Sequence, residues 1–273
     1  MKTIIGNYEF SSGTHIVGIL NVTPDSFSDG GKFTSKDAVL KRAEEMIRQG
    51  AAVIDIGGES TRPGHTPISD EEETERVIPF LQLIKSHFDI PVSVDTYKYS
   101  VALSALSEGA DMINDIWGFK KSPKIAKIVK EYDACCCLMH NRNNTDYSSF
   151  AVDLKNDLHE SIDIAVSNGI CSEKIIIDAG IGFAKNTGQN LEALKQTENL
   201  RTELGYPIMV AVSRKSIIGN VLNVELPHRL SGTLAATAYA FFSGARFVRV
   251  HDIAENKQVI DMLEAISKGE IYE

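Results

Sequence analysis

Short apolar runs alternate with longer amphipathic stretches along nearly the whole chain. The runs fall at 16–22, 51–57, 91–94, 112–117, 134–139, 174–179, 207–212 and 247–250. They are rich in β-branched residues and most lack polar alternation, the pattern of strands buried on both faces of a parallel sheet. Helical spacing appears between them. Val39, Ala43, Met46 and Ile47 share a face before Gly50. Ser69-Asp-Glu-Glu72 reads as a capping box ahead of Val77, Leu81 and Ile84. Leu154, Leu158, Ile162 and Ala165 form a stripe closed by Gly169, and Val259, Leu263 and Ile266 form the last. The acidic run Asp70–Glu73 reads as a solvated first turn favoured by the helix dipole.

Eight such strands alternating with helices over about 250 residues predict a (β/α)8 barrel. A doubly wound sheet is the alternative that period alone leaves open. Residues 1–14 predict a short N-terminal hairpin turning at Gly6-Asn7. No internal repeat, low-complexity tract or Pro/Ser-rich linker interrupts the pattern, so residues 1–273 read as one barrel domain.

A barrel makes a demand on the sequence: polar residues should gather where strands hand over to the following loops. They do so at Asn21, at Asp55-Ile-Gly-Gly-Glu-Ser-Thr-Arg-Pro-Gly64, at Asp95-Thr96, at Asn114-Asp115 and at Met139-His140. The same holds for Asp178-Ala-Gly-Ile-Gly-Phe183, Ser213-Arg-Lys-Ser216 and the set Arg249, His251 and Asp252. A polar group in an apolar strand costs roughly 2–7 kcal/mol unless paired. One such group reads as a satisfied core residue; a set near one end of most strands reads as a site.

Composition narrows the classes. The chain has 273 residues, 43% hydrophobic, and a net charge of −9, which argues against a general nucleic-acid binder. No apolar run approaches the roughly 20 residues of a membrane span. The N-terminus lacks the features of a secretory signal. Three of the four cysteines, Cys135, Cys136 and Cys137, are consecutive in an expected strand. That is neither a disulfide framework nor a zinc spacing, and it suits a reducing compartment, the cytoplasm.

The stretch Asn21–Gly31, Asn-Val-Thr-Pro-Asp-Ser-Phe-Ser-Asp-Gly-Gly, joins the first long strand to a helix. It is rich in turn-forming residues and carries Asp25, Phe27 and Asp29. Arg249 and His251, two apart, face the same way and, with Ser213-Arg214-Lys215-Ser216, suit an oxyanion. The other reading pairs Arg249 with a core carboxylate such as Asp252. Asp95, Asn114, Asp178 and Lys215 offer the acceptors, amide and cation that read a flat polar heterocycle. Each Asp alone reads equally as a cap or turn. No P-loop or Cys/His zinc pattern is present. Asn21 alone is a weak metal ligand, but with a diphosphate sharing Mg2+ one protein oxygen plus waters is enough.

These motifs, in this order, resemble the dihydropteroate synthase family. The resemblance rests on Gly18–Gly31, Asp55–Gly64, Ser93-Val-Asp-Thr96, Ile113-Asn-Asp115, Leu138-Met-His140, Ser213–Ser216 and Arg249-Val-His-Asp252. It covers almost the whole chain, and the first two motifs are very specific. It implies a pterin-binding barrel that joins 4-aminobenzoate to 6-hydroxymethyl-7,8-dihydropterin diphosphate, giving 7,8-dihydropteroate and pyrophosphate. By that resemblance Asp95, Asn114, Met139, Asp178 and Lys215 hold the pterin. Asn21, Arg249 and His251 hold the diphosphate, Asn21 also binding Mg2+. Phe27, Thr61, Pro63, Phe183 and Ser216 form the aminobenzoate pocket, where sulfonamides bind in the family. Asp29, Arg62 and Lys215 serve catalysis, the first two brought in by loop closure. The family is commonly homodimeric.

Some positions depart from the family pattern. Ala179 stands for a common Pro, and Ala184 and Ala211 stand for frequent Gly. Residues 141–147 lack the usual Gly and Pro. None of these removes a named polar group, so they bear on pocket shape. Two other readings remain, a pterin-dependent methyltransferase barrel and a non-catalytic pterin-binding paralogue. The first needs neither the Asp25–Asp29 loop nor the Arg249/His251 pair.

Overall fold

The computed structural model describes residues 1–22, 36–59 and 66–269; residues 23–35, 60–65 and 270–273 lie outside it. Strands β1 (Thr3–Ile5) and β2 (Tyr8–Phe10) pair antiparallel as the expected hairpin. The chain then runs through β3 (His15–Asn21), α1 (Lys36–Arg48), β4 (Ala51–Gly57), α2 (Asp70–His87), β5 (Val92–Asp95) and α3 (Tyr99–Ser107). It continues through β6 (Met112–Asp115), α4 (Lys124–Glu131), β7 (Cys135–Met139), α5 (Phe150–Ser167) and β8 (Ile175–Asp178). Helices α6 (Thr187–Lys195) and α7 (Thr197–Leu204) precede β9 (Ile208–Val210). Helices α8 (Ser216–Leu222) and α9 (Leu230–Phe242) precede β10 (Phe247–Val250), and α10 (Ile253–Lys268) follows it.

Strands β3 to β10 pair in parallel and in sequence, and β10 closes onto β3. The result is the (β/α)8 barrel, not the doubly wound sheet. Two apolar layers follow from the two faces of each strand. Outward residues such as Ile54, Ile56, Val94, Ile113 and Cys136 meet the helices through Val39, Ala43, Met46, Val77, Leu81, Leu154 and Leu158. Inward residues Val17, Val53, Met112, Cys135, Cys137, Ile176, Met209 and Phe247 fill the barrel floor, and Ile5 and Phe10 of the hairpin close it from below. The consecutive cysteines thus split between the layers, and all four cysteines are free. No helix among the described residues is long and apolar enough to cross a membrane.

Three local expectations need correction. Ser69 Oγ accepts the Glu72 N–H at 3.2 Å, but the Glu72 carboxylate turns to Arg76 instead of closing a capping box. A reciprocal box does occur at Asn186 and Gln189, with bonds of 2.9 and 2.8 Å. The run Asp70–Glu73 is not wholly solvated: Glu73 is buried and pairs with Lys98 Nζ at 2.7 Å. The core face of α10 is Ile253, Asn256 and Ile260, whereas Ile266 is 63% exposed. Asn256 takes a core position because its amide is satisfied there, by Thr237 Oγ1 and Asp252 O, each at 2.6 Å.

Candidate active site

The period of two places polar groups two residues above the apolar floor. Val53 is followed by Asp55, Met112 by Asn114, Ile176 by Asp178 and Phe247 by Arg249. Strand register then sets them side by side: Asn21 beside Gly57, Gly57 beside Asp95, and Asp95 beside Asn114. The result is a polar ring at the carboxyl ends of the strands, where barrel loops converge.

Arg249 anchors one side of this ring. Its Nε donates to Asp55 Oδ2 at 2.6 Å and its Nη2 to Asp95 Oδ2 at 2.8 Å. Asn114 Nδ2 donates to the same Asp55 oxygen at 3.2 Å. Arg249 therefore does pair with buried carboxylates, but with Asp55 and Asp95. Asp252 is instead held by Arg214. Asp55 lies in the second motif, yet no role was expected of it from sequence. Burial works against the charge on Arg249, but the two carboxylates outweigh it and raise its pKa further. Burial pushes Asp95 up to about 7, opposed by Arg249 and reinforced by Asp55. One guanidinium thus faces two carboxylates, and burial raises the pKa of the second.

The other side forms around the loop after β8. Asp178 is buried and accepts the Gly180 N–H at 2.7 Å. Lys215 Nζ donates to Ile181 O at 2.5 Å and lies 4.9 Å from the centre of the Phe183 ring. Burial lowers Lys215 to about 8 despite Asp178. Met139 pairs in register with Asp178 and is buried. Ser216 is exposed at the start of α8. His251 lies one residue beyond β10, its Nδ1 3.0 Å from Ser213 Oγ. The structure thus brings Asn21, Asp95, Asn114, Met139, Asp178, Lys215 and Arg249 to one mouth, with Phe183 against Lys215. Phe27, Asp29, Thr61, Arg62 and Pro63 lie outside the described residues.

Among the described residues no group of three or more His, Cys, Asp or Glu side chains is arranged to hold a metal ion. The donors at the mouth are oxygens. A Cβ built on Gly57 would lie 3.4 Å from Asn21 Oδ1 and 3.9 Å from Asp95 Cβ. Among the described residues, Asp55 Oδ1 and Asp95 Oδ1 are buried without a hydrogen-bond partner. Such a set fits a hard cation that takes most of its oxygens from water and a phosphorylated ligand.

A cavity of about 540 Å³ opens beside the mouth, lined by Trp117, Lys120, Lys121, Asn141 to Asn144 and Asp157. No ring residue lines it. Buried opposed charges converge at the ring, not in this recess, and such clusters make the ring the candidate site. A second feature the sequence did not reveal is Lys185, whose Nζ lies 2.8 Å from His140 Nδ1 beneath the loop after β8.

The profile of a family described as pterin binding enzyme matches residues 17–251. A dihydropteroate synthase of Clostridium beijerinckii is 52% identical over 265 residues, covering 96% of this chain and 98% of its own. The crystal structure of Clostridium difficile dihydropteroate synthase with pteroic acid superposes with a TM-score of 0.91 at 46% identity, covering 95% of this chain and 98% of that one. The Xanthomonas albilineans dihydropteroate synthase with 4-aminobenzoic acid gives 0.92 at 35% identity, covering 97% and 98%. The chain belongs to the pterin-binding enzyme family and, within it, to the dihydropteroate synthases.

Proposed function

We propose that this chain condenses 6-hydroxymethyl-7,8-dihydropterin diphosphate with 4-aminobenzoate, giving 7,8-dihydropteroate and pyrophosphate. The observation that carries the reading is the ring of buried, opposed charges from β4, β5, β8 and β10, with the Asn114 amide of β6, at one barrel mouth.

Asp95, Asn114 and Asp178 present acceptors and an amide to the amino and ring N–H groups of the pterin, and Lys215 donates to its carbonyl. Met139 packs near the ring. Asn21, Arg249 and His251 serve the diphosphate. Arg249 brings a charge that no accessible pH removes and that Asp55 and Asp95 already orient. Asn21 would hold Mg2+ together with the diphosphate, and the ion would neutralise charge on the leaving group. The carbon–oxygen bond to the diphosphate breaks, the aniline nitrogen forms a bond to that carbon, and the nitrogen loses a proton. Because the dihydropterin is electron-rich, departure runs ahead of attack, and fixed cations at the leaving oxygens matter most. Phe183 and Ser216, with Phe27, Thr61 and Pro63 from the sequence, form the aminobenzoate pocket, where sulfonamides compete. Asp29 stabilises the cationic carbon or takes the amine proton, and Arg62 completes the closed site.

The reading extends to one barrel domain over 1–273, working in the cytoplasm as a homodimer. Buried Cys135 to Cys137, free of disulfides, suit a reducing compartment. Helices α9 and α10 expose Phe242, Met262 and Ile266, a surface that suits a second copy.

The test is to give purified protein the dihydropterin diphosphate and Mg2+, with and without 4-aminobenzoate, and to follow dihydropteroate and pyrophosphate. Equal amounts of both, dependent on 4-aminobenzoate, are expected. Folded protein that binds pterin without forming product would mark a non-catalytic pterin binder.

A further inference from the structure

The loop that leaves β8 is held by its carbonyl oxygens. Lys215 Nζ takes Ile181 O at 2.5 Å. Lys185 Nζ takes Gly180 O at 2.9 Å and Phe183 O at 3.1 Å, and its third contact is His140 Nδ1 at 2.8 Å. An ammonium has three N–H donors and no acceptor, so Lys185 is saturated and His140 Nδ1 must accept. The proton of His140 then sits on Nε2, which donates to Asp157 Oδ2 at 2.9 Å. Arg142 locks Asp157 from the far side, through Nε at 2.5 Å and Nη2 at 3.2 Å. His140 is fully buried, and burial pulls it down to about 4, so it stays neutral in this chain of bonds.

The loop needs such a grip. Gly180 has φ +66° and Gly182 has φ +90°, and Ala184 sits at φ 42° despite its Cβ. A Cβ on Gly180 would lie 1.9 Å from His140 O, so the loop is pressed onto the end of β7. In the reading above, Lys215 divides its three N–H donors between Ile181 O and the pterin carbonyl. Lys185 is the side chain that ties Gly180 O and Phe183 O to His140 at the end of β7.

We infer that Lys185 is a positioning residue for the second substrate. By holding Gly180, Phe183 and His140 together, it keeps Phe183 facing 4-aminobenzoate while Lys215 serves the pterin. This inference rests on the proposed function and goes beyond it. Burial lowers Lys185 to about 7, opposed by Asp178 of β8 and assisted by Lys215. Asp157 of α5, Arg142 and Tyr147 of the loop after β7, and His140 complete the titratable groups around it. Loss of its proton leaves two N–H donors for three acceptors, so the grip weakens as pH rises through about 7.

The test uses the full chain with Lys185→Met, which keeps the stem and removes the donors. At saturating dihydropterin diphosphate, KM for 4-aminobenzoate should rise about tenfold, as expected for lost bonds to a charged donor. The pterin dissociation constant should stay within about twofold. Wild-type KM should rise from ~pH 6 to ~pH 9, a range in which 4-aminobenzoate remains a carboxylate, and the variant should lose that dependence. An unchanged KM in Lys185→Met overturns the inference. So does a parallel loss of pterin affinity, KM and Tm, which marks a merely structural lysine. If Lys185→Met does not fold, the wild-type profile decides: a flat KM over that range overturns the inference. Wild-type protein that binds both compounds without product refutes the proposed reaction instead, and the same comparison is then made on the 4-aminobenzoate dissociation constant.

Discussion

Arg249 and Asp55, 194 residues apart, meet through a 2.6 Å bond from Nε to Oδ2 across the barrel mouth. Asp55 also accepts from Asn114, so one carboxylate orients both a cation and an amide of the site. Replacing Asp55 by Ala leaves Arg249 with Asp95 as its remaining carboxylate and frees Asn114. Breaking a buried pair of this kind costs about 3 kcal/mol. Urea denaturation should show that loss, and pterin affinity should fall with it. Asp55→Ala with wild-type stability and affinity would remove Asp55 from the site.

Asp95 leads to a proton-release experiment. Burial holds its carboxyl above the ordinary 3.8, at about 7, against the pull of Arg249. Pterin N–H donors need the ionised form, so binding expels a proton and affinity climbs as pH rises toward about 7. The sign for folding is opposite: the folded state binds more protons between 3.8 and about 7, so stability falls as pH rises through that window. Calorimetry of pterin binding in buffers of different ionisation heat, near pH 6.5, should detect the released proton. Asp95→Asn should abolish it, and release that persists in this variant would place the proton elsewhere.

His140 predicts acid sensitivity. Its folded value is lowered from 6.5 to about 4 by burial, so the unfolded chain takes up the proton first. The stability conferred by neutral His140 is complete above 6.5 and is lost as pH falls toward about 4. The full loss is about 3 kcal/mol. Denaturation midpoints measured between these values should fall less steeply in His140→Gln; parallel curves would contradict the assignment.

Ala184 offers a gain. It occupies the left-handed region at φ 42°, where a Cβ crowds the following carbonyl. Ala184→Gly should stabilise the fold by about 1 kcal/mol, the strain removed exceeding the added chain entropy of glycine. The Tyr147 hydroxyl bond to Ala184 O, 3.0 Å long, uses only the backbone and should persist. A destabilised Ala184→Gly chain would mean that this methyl packs usefully.

The strands were legible because each is buried on both faces and reads as an apolar run. One run, 112–117, overshoots: β6 stops at Asp115, whose carboxylate accepts Trp117 N at 2.7 Å and Phe119 N at 3.1 Å and turns the chain. Asp95, Asn114, Asp178 and Arg249 were legible as polar residues at the ends of such runs. Asp55 carried the same mark, but its value lies in two partners from distant strands, which no local spacing displays. Lys185 was hidden for a similar reason. A lysine after Gly-Phe-Ala ordinarily marks a solvated approach to a helix, and only the fold lays it beneath its own loop. The face of α10 was misjudged because Asn256 is polar, and only tertiary partners make it a core residue.

If one mouth reads two halves of one substrate, a pair of titrations separates them. Asp178→Asn and His251→Gln would each be titrated with 6-hydroxymethyl-7,8-dihydropterin and with its diphosphate. Asp178→Asn should weaken both ligands alike, by at least about tenfold for a lost charged acceptor. His251→Gln should weaken the diphosphate and leave the free alcohol within about twofold. Equal losses for both ligands in His251→Gln, or no loss for either in Asp178→Asn, would contradict this reading of the mouth.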